Sequence, residues 1–183
     1  MADFMTTYSK IKFTPLEPNK EDIVIDDIAH ALSFMSRANG HFSEFYSVGH
    51  HCILCCEEAL ARGYSNKVAL ACLLHDASEA YIADIIRPVK KNLEKYLEIE
   101  DKLQEIIYEK YIDGKLNDDE RNQIKSVDDT LLYYEFIHYM DMELQVNKSE
   151  LVSKPIFETV EFSKVRDKYK ELFYQLTEVT QTI

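Results

Sequence analysis

Side chains able to do chemistry stand in this chain where helical periodicity asks for apolar ones. In the segment opening at Ser65, Val68, Ala71 and Cys72 recur on one face, His75 follows on that face and Glu79 comes one turn later. Asp76 adjoins His75, about 100° round the helix. Such groups are rarely buried without partners. A neutral imidazole beside a carboxylate is the mixed nitrogen and oxygen pair that a borderline or hard divalent cation prefers. Two ligands do not make a site, but more are available. His50 and His51 open another helical segment, and Asp128 begins a stripe on which Leu131, Leu132 and Glu135 recur. Taken singly, each has a bland reading: a satisfied core histidine, or a carboxylate at the edge of a stripe. Asp129 reads as solvated. Cys52, Cys55 and Cys56 look like half of a zinc site, yet the only other cysteine, Cys72, lies in a different apolar segment. Their spacing is that of a helix core, where free cysteine packs as a small hydrophobe.

In order along the chain, Tyr46-Ser47-Val48-Gly49-His50-His51, Leu74-His75-Asp76-Ala77-Ser78-Glu79-Ala80-Tyr81, Asp84, Pro88-Val89-Lys90 and Lys125-Ser126-Val127-Asp128 form a series with a family likeness. The series resembles the HD-domain metal-dependent phosphohydrolases, in particular small bacterial and phage proteins related to 5'-deoxynucleotidases. The likeness extends upstream through Asp27-Ile28-Ala29-His30-Ala31-Leu32-Ser33 and Arg37, covering residues 13–140. It implies an all-α HD-domain bundle and a divalent cation held by His51, His75, Asp76 and Asp128, without choosing among cobalt, manganese, zinc, iron and magnesium. His51 rather than His50 is the implied ligand, because the family's histidine falls four positions after the serine, here Ser47. The likeness further implies Glu79 and Asp84 as catalytic residues, Arg37 as a phosphate contact and Lys90 near the site.

Three departures matter. The family's bulky aromatic after the arginine is Ala38 here, which puts selection of the deoxy sugar in question and leaves Phe42 or Phe45 to fill the space. The glycine before Asp84 is Ala83. Asp84 also lies nine residues past His75, on the opposite face of an unbroken helix, so a catalytic Asp84 requires the helix to end near residues 81–83. Pro88 is compatible with such a break.

The reaction implied is hydrolysis of the 5'-phosphate of (deoxy)nucleoside monophosphates. Release of triphosphate from a (d)NTP is the alternative, kept open by His41, Arg87, Lys90 and Lys91. A non-catalytic nucleotide or metal-binding module is the third reading, disfavoured by an intact Glu79. His41, Ala38, Arg37 and Lys90 are the expected substrate contacts.

The elements that must position these residues follow from pattern. Pro15 and Pro18 mark residues 8–25 as an extended arm or short hairpin. Helices are expected over residues 26–37, 48–62, 65–85, 88–111 and 117–142, with a last one around Tyr169, Leu172, Phe173 and Leu176. We expect one domain: arm 1–25, core 26–146 and a C-terminal helical extension 147–183. Its 183 residues bury a sizeable core without disulfides. Only 4 Gly and 4 Pro disfavour linker-rich or many-turned architectures. A net charge of -12 sets a repulsive field against nucleic-acid polymers and anionic membranes, while a small nucleotide needs only a local cationic cluster. No apolar run is long enough to span a bilayer and the first residues lack a signal-peptide pattern, so the cytoplasm is the expected location. A homo-oligomer stays open.

Overall fold

The computed structural model describes residues 3–178, and it is an all-α bundle. A two-residue hairpin, β1 (Met5–Thr6) with antiparallel β2 (Lys12–Phe13), lies on its outside and pins Phe13 into the core against Tyr81. The helices are α1 (Ile25–Phe34), α2 (Val48–Ala61), α3 (Asn66–Leu74), α4 (Glu79–Ile82), α5 (Arg87–Lys90), α6 (Glu94–Tyr111), α7 (Asp118–Met140) and α8 (Phe162–Glu178). Central α2 and α3 pack on each other and are flanked by α1, α7 and α8. Their starts are capped as serine caps should be: Ser47 accepts from the His50 N–H, and Ser65 from the Val68 N–H. Gly49 sits where α1 crosses α2, so close that a Cβ there would meet the Leu32 carbonyl carbon at 3.1 Å.

The expected extension is no appendage. Residues 141–161 carry no helix, but α8 buries Val165, Tyr169, Leu172, Phe173 and Leu176 in the main core. The irregular stretch is tied down by Glu58, fully buried in α2, which accepts from the N–H groups of Val152 and Ser153.

Two expected helices are broken, and both breaks shape the site. The helix expected over residues 65–85 stops at Leu74. Every carbonyl of its last turn is taken by a side chain: Ala71 by the Tyr108 hydroxyl at 3.5 Å, Cys72 by His75 Nδ1 at 2.7 Å, Leu73 by the Tyr169 hydroxyl at 2.6 Å and Leu74 by Gln104 Nε2 at 2.8 Å. Gln104 also accepts from the Ser78 N–H. Residues 75–78 form tighter turns, with Ala77 N–H donating to Leu74 and Glu79 N–H to Asp76. The helix expected over residues 88–111 divides into α5 and α6, because the Asn92 side chain donates to the Pro88 carbonyl and draws the chain round at residues 91–93.

The first expected helix also ends early, at Phe34 instead of Arg37. Backbone pairing captures the next residues: Val48 N–H donates to Met35 and Arg37 N–H to Tyr46. Helix α4 ends at Ile82, and Ala83 takes φ 75°, ψ 153°, a region open essentially to glycine alone. The Tyr96 hydroxyl grips its carbonyl at 2.6 Å. Replacing Ala83 by glycine relieves that strain, and we expect Ala83→Gly to raise unfolding free energy by about 1 kcal/mol in urea titrations. An unchanged or lowered midpoint would show that the surroundings have relaxed the alanine.

Candidate metal centre

His51 lies in the first turns of α2 with no exposed surface, and its ring is fixed from behind. Its Nδ1 faces Glu135 Oε1 at 2.5 Å, so Nδ1 carries the donated proton and Nε2 points forward. His75, at the end of α3, is set the same way: Nδ1 donates to the Cys72 carbonyl, leaving Nε2 free. The two Nε2 atoms lie 3.2 Å apart. Asp128 Oδ1 reaches to 3.3 Å from His51 Nε2 and 3.8 Å from His75 Nε2, while Asp76 Oδ2 lies 3.3 Å from His75 Nε2 and 4.0 Å from His51 Nε2. Donors about 2.1 Å from a common ion stand about 3.0 to 3.4 Å apart in octahedral or tetrahedral arrangements. Three separate segments thus bring two carboxylate oxygens within 4.0 Å of both imidazole Nε2 atoms, a donor set suited to a borderline or hard divalent cation.

The electrostatics agree with the geometry. Burial and Arg37 press the His51 pKa down, but Glu135 and Asp128 outweigh them and hold it up at about 9. Against the cost of their own burial, His51 and Arg37 pull Glu135 down to about 2, and His51, His75 and Arg87 hold Asp128 well below the usual carboxylate range. The point between these groups favours positive charge.

Sulfur offers a rival set. His51, Cys55 and His75, and likewise Cys52, His75 and Asp76, have potential ligand atoms within 4.8 Å of one another. Burial raises the pKa of both thiols, Cys52 and Cys55, whereas the thiolate is the metal ligand. Cys52 Sγ, moreover, lies at 4.0 Å from His75 Nδ1, the nitrogen that donates to a carbonyl. Cys55 Sγ lies 3.5 Å from His51 Nε2, and these cysteines, like Cys56 and Cys72, are buried and form no disulfide.

Glu135 is the residue that sequence reasoning passed over. It has no exposed surface, and besides holding His51 it accepts from the Tyr46 hydroxyl at 2.8 Å and pairs with Arg37 Nε at 3.4 Å. The available signal was a carboxylate seven residues after Asp128 on an apolar stripe. His50, the neighbouring alternative, turns away to lie against the Tyr46 ring, and burial lowers its pKa to about 4.

A cleft of about 500 Å³ opens beside the ligand cluster, within the usual range for small-molecule sites. Arg37, Ala38, Asp76, Glu79, Asp84, Arg87, Lys90 and Asp128 line its polar part; Ile85, Ile86, Leu132, Phe136, Leu144 and Val146 supply apolar wall. Arg37 bonds Asp76 at 3.3 Å and stands 4.0 Å from Asp128. Glu79 is buried with Oε2 lacking a hydrogen-bond partner, and its Oε1 lies 3.4 Å from Lys90 Nζ. Burial and the carboxylates of Asp76 and Asp84 raise the Glu79 pKa well above its ordinary value. The end of α4 at Ile82 brings Asp84 back to the cleft, as a role there requires. Ala38 lines the cleft in a left-handed conformation, φ 50°. Phe42 lines it too, whereas Phe45 lines only an adjoining hollow of about 280 Å³ that shares Arg37 and Phe42 with the cleft. His41 and Lys91 are exposed and stand outside the cleft lining.

No family model matches the chain. A stretch of 108 residues, 59% of this chain and 58% of the relative, is 43% identical to the uncharacterized protein YfdR of Escherichia coli (strain K12). A second, over 99 residues covering 51% of this chain and 50% of the relative, is 42% identical to an uncharacterized protein of Rhodobacter capsulatus. The chain thus spans between half and three fifths of the curated relatives it matches. Among the described residues no helix is long and apolar enough to cross a membrane.

Glu135 fixes His51 in one tautomer, with Nε2 toward the candidate site, and losing such a partner of a metal-bound histidine typically weakens metal binding about 10- to 100-fold. We expect Glu135→Gln, which keeps the volume, to weaken Mn²⁺ binding by that factor in calorimetric titration while the chain stays folded by circular dichroism. Wild-type affinity in that variant would remove Glu135 from the site.

Proposed function

We propose that the chain is a divalent-metal-dependent phosphohydrolase of the HD-domain kind its motifs resemble, acting on nucleotides. The bond broken is the ester between the nucleoside 5' oxygen and the first phosphorus. The observation that carries this reading is the convergence of His51, His75, Asp76 and Asp128 beside a cleft that also presents Arg37, Lys90 and two further carboxylates.

Held by those four residues, a divalent cation would supply a Lewis acid for phosphoryl oxygen and a lowered pKa for water. The remaining work belongs to the chain. Arg37 and Lys90 balance phosphate charge and fix its orientation. Glu79, which has an unpartnered buried oxygen, is the proposed group to orient the attacking water and accept its proton. Asp84, on the same cleft, is the proposed donor of a proton to the departing 5' oxygen. Water adds to phosphorus, the ester P–O bond breaks, and the products are a nucleoside and the phosphate or polyphosphate it carried. The apolar wall gives the nucleoside a surface: Leu132 and Phe136 stand one and two turns beyond Asp128 on α7.

Ligation and turnover separate by mutation. We expect Asp76→Ala to lose both bound metal and activity, and Glu79→Ala to keep the metal while losing turnover by about 10²- to 10⁴-fold. Metal analysis of the purified variants checks this, and a metal-free Glu79→Ala would reverse the assignment of ligand and catalyst.

The activity itself is tested with a panel of nucleoside mono-, di- and triphosphates, with Mg²⁺, Mn²⁺, Co²⁺ and Zn²⁺ in turn and products identified. The expected product is a free nucleoside. Metal binding with no hydrolysis of any nucleotide would leave a binding module and sink the enzyme reading.

A further inference from the structure

We propose that Arg87 reads the length of the phosphate chain, binding phosphate beyond the one whose ester is cleaved, so that the cleft prefers a polyphosphate tail to a single phosphate. The inference rests on the phosphohydrolase reading above and deepens it to the substrate's phosphate number.

The cations lining the cleft differ in what they can still offer a ligand. The Arg37 side chain is 11% exposed and is surrounded by Asp76, Asp128 and Glu135. Lys90 is 21% exposed and bridges Glu79 and Glu100. Arg87 is 53% exposed, on the first turn of α5. Its two contacts, Nη2 to Asp128 Oδ2 at 2.6 Å and Nη1 to Asp129 Oδ1 at 2.9 Å, use one N–H on each nitrogen and leave three of the guanidinium's five donors free. Asp129 is already served by Lys125 Nζ at 2.6 Å, so it does not depend on Arg87 for a counter-charge.

Position completes the case. Arg37 approaches Oδ1 of Asp128 while Arg87 holds Oδ2, so the two guanidinium groups flank one proposed ligand. A single phosphate on Arg37 and Lys90 leaves Arg87 facing solvent. A chain of two or three phosphates beginning at the same place runs from the enclosed cations to the exposed one. The planar fork of arginine is suited to grip such a chain.

The test is calorimetric binding of inorganic phosphate and of tripolyphosphate, with the same Mg²⁺ concentration in cell and syringe. We expect wild type to bind tripolyphosphate at least about tenfold more tightly, the scale of one or two charge-assisted hydrogen bonds. Arg87→Ala and Arg87→Gln should each lose that advantage, with phosphate affinity moving by less than about threefold, and Arg87→Lys should recover part of it. Lys125→Ala, which removes an equal charge outside the cleft, should retain it. The inference is overturned if wild type shows no preference, if the preference survives in Arg87→Gln, or if Lys125→Ala loses as much. The two readings fail separately: selective tripolyphosphate binding without hydrolysis of any nucleotide keeps Arg87 as the reader but ends the enzyme assignment, whereas nucleoside release with no chain-length preference does the reverse.

Discussion

The structure turns on the stopping of α3 at Leu74. A helix end leaves its last carbonyls without partners, and burying them so is costly. Here α6 supplies Tyr108 and Gln104, α8 supplies Tyr169, and His75 itself bonds back to Cys72. With those carbonyls satisfied, the chain leaves the helix as tight turns and carries His75, Asp76 and Glu79 to the cleft. The bond from His75 to the Cys72 carbonyl does two things at once: it caps the helix and fixes the tautomer that turns Nε2 toward His51. Capping and the orientation of a candidate ligand are one interaction, so the site is built into the core rather than laid on its surface.

The second constraint is charge. Asp76, Glu79, Asp84 and Asp128 line one cleft with Glu135 behind them, against Arg37, Arg87 and Lys90. In a low-dielectric interior such a carboxylate excess is unfavourable unless cations sit among them. Arg37 threads between three of the acids, and His51 is held toward its charged form by two. A divalent cation at the convergence of the four candidate donors would offset the same excess more effectively. Backbone strain is concentrated here too, at Ala38, Asn39 and Ala83 on the cleft-forming turns. Strain of that kind persists where surrounding contacts over-determine the geometry.

Much of this was legible in the sequence because periodicity exposes misplaced polar residues. His75, Glu79 and Asp128 stood out as polar groups on apolar faces, Ser65 marked the start of α3, and Asn117 caps α7 as its position suggested. The interruptions were illegible, since no local signal at residues 75–78 announces that Gln104, Tyr108 and Tyr169 will take the carbonyls. The early end of α1 was equally hidden, because it depends on pairing with residues 46–48. Glu135 was visible only as a stripe position, and its partners Tyr46, Arg37 and His51 come from other parts of the chain. Local pattern sets the elements; long-range hydrogen bonds set where they stop, and the site lies at those stops.

Anomalous diffraction from crystals grown with Mn²⁺ tests the central claim most directly. The account predicts one strong peak bounded by His51 Nε2, His75 Nε2, Asp76 Oδ2 and Asp128 Oδ1, with bonds of about 2.0 to 2.5 Å. A peak seated against Cys52 or Cys55 instead, or an empty cluster in crystals soaked at millimolar Mn²⁺, would contradict it.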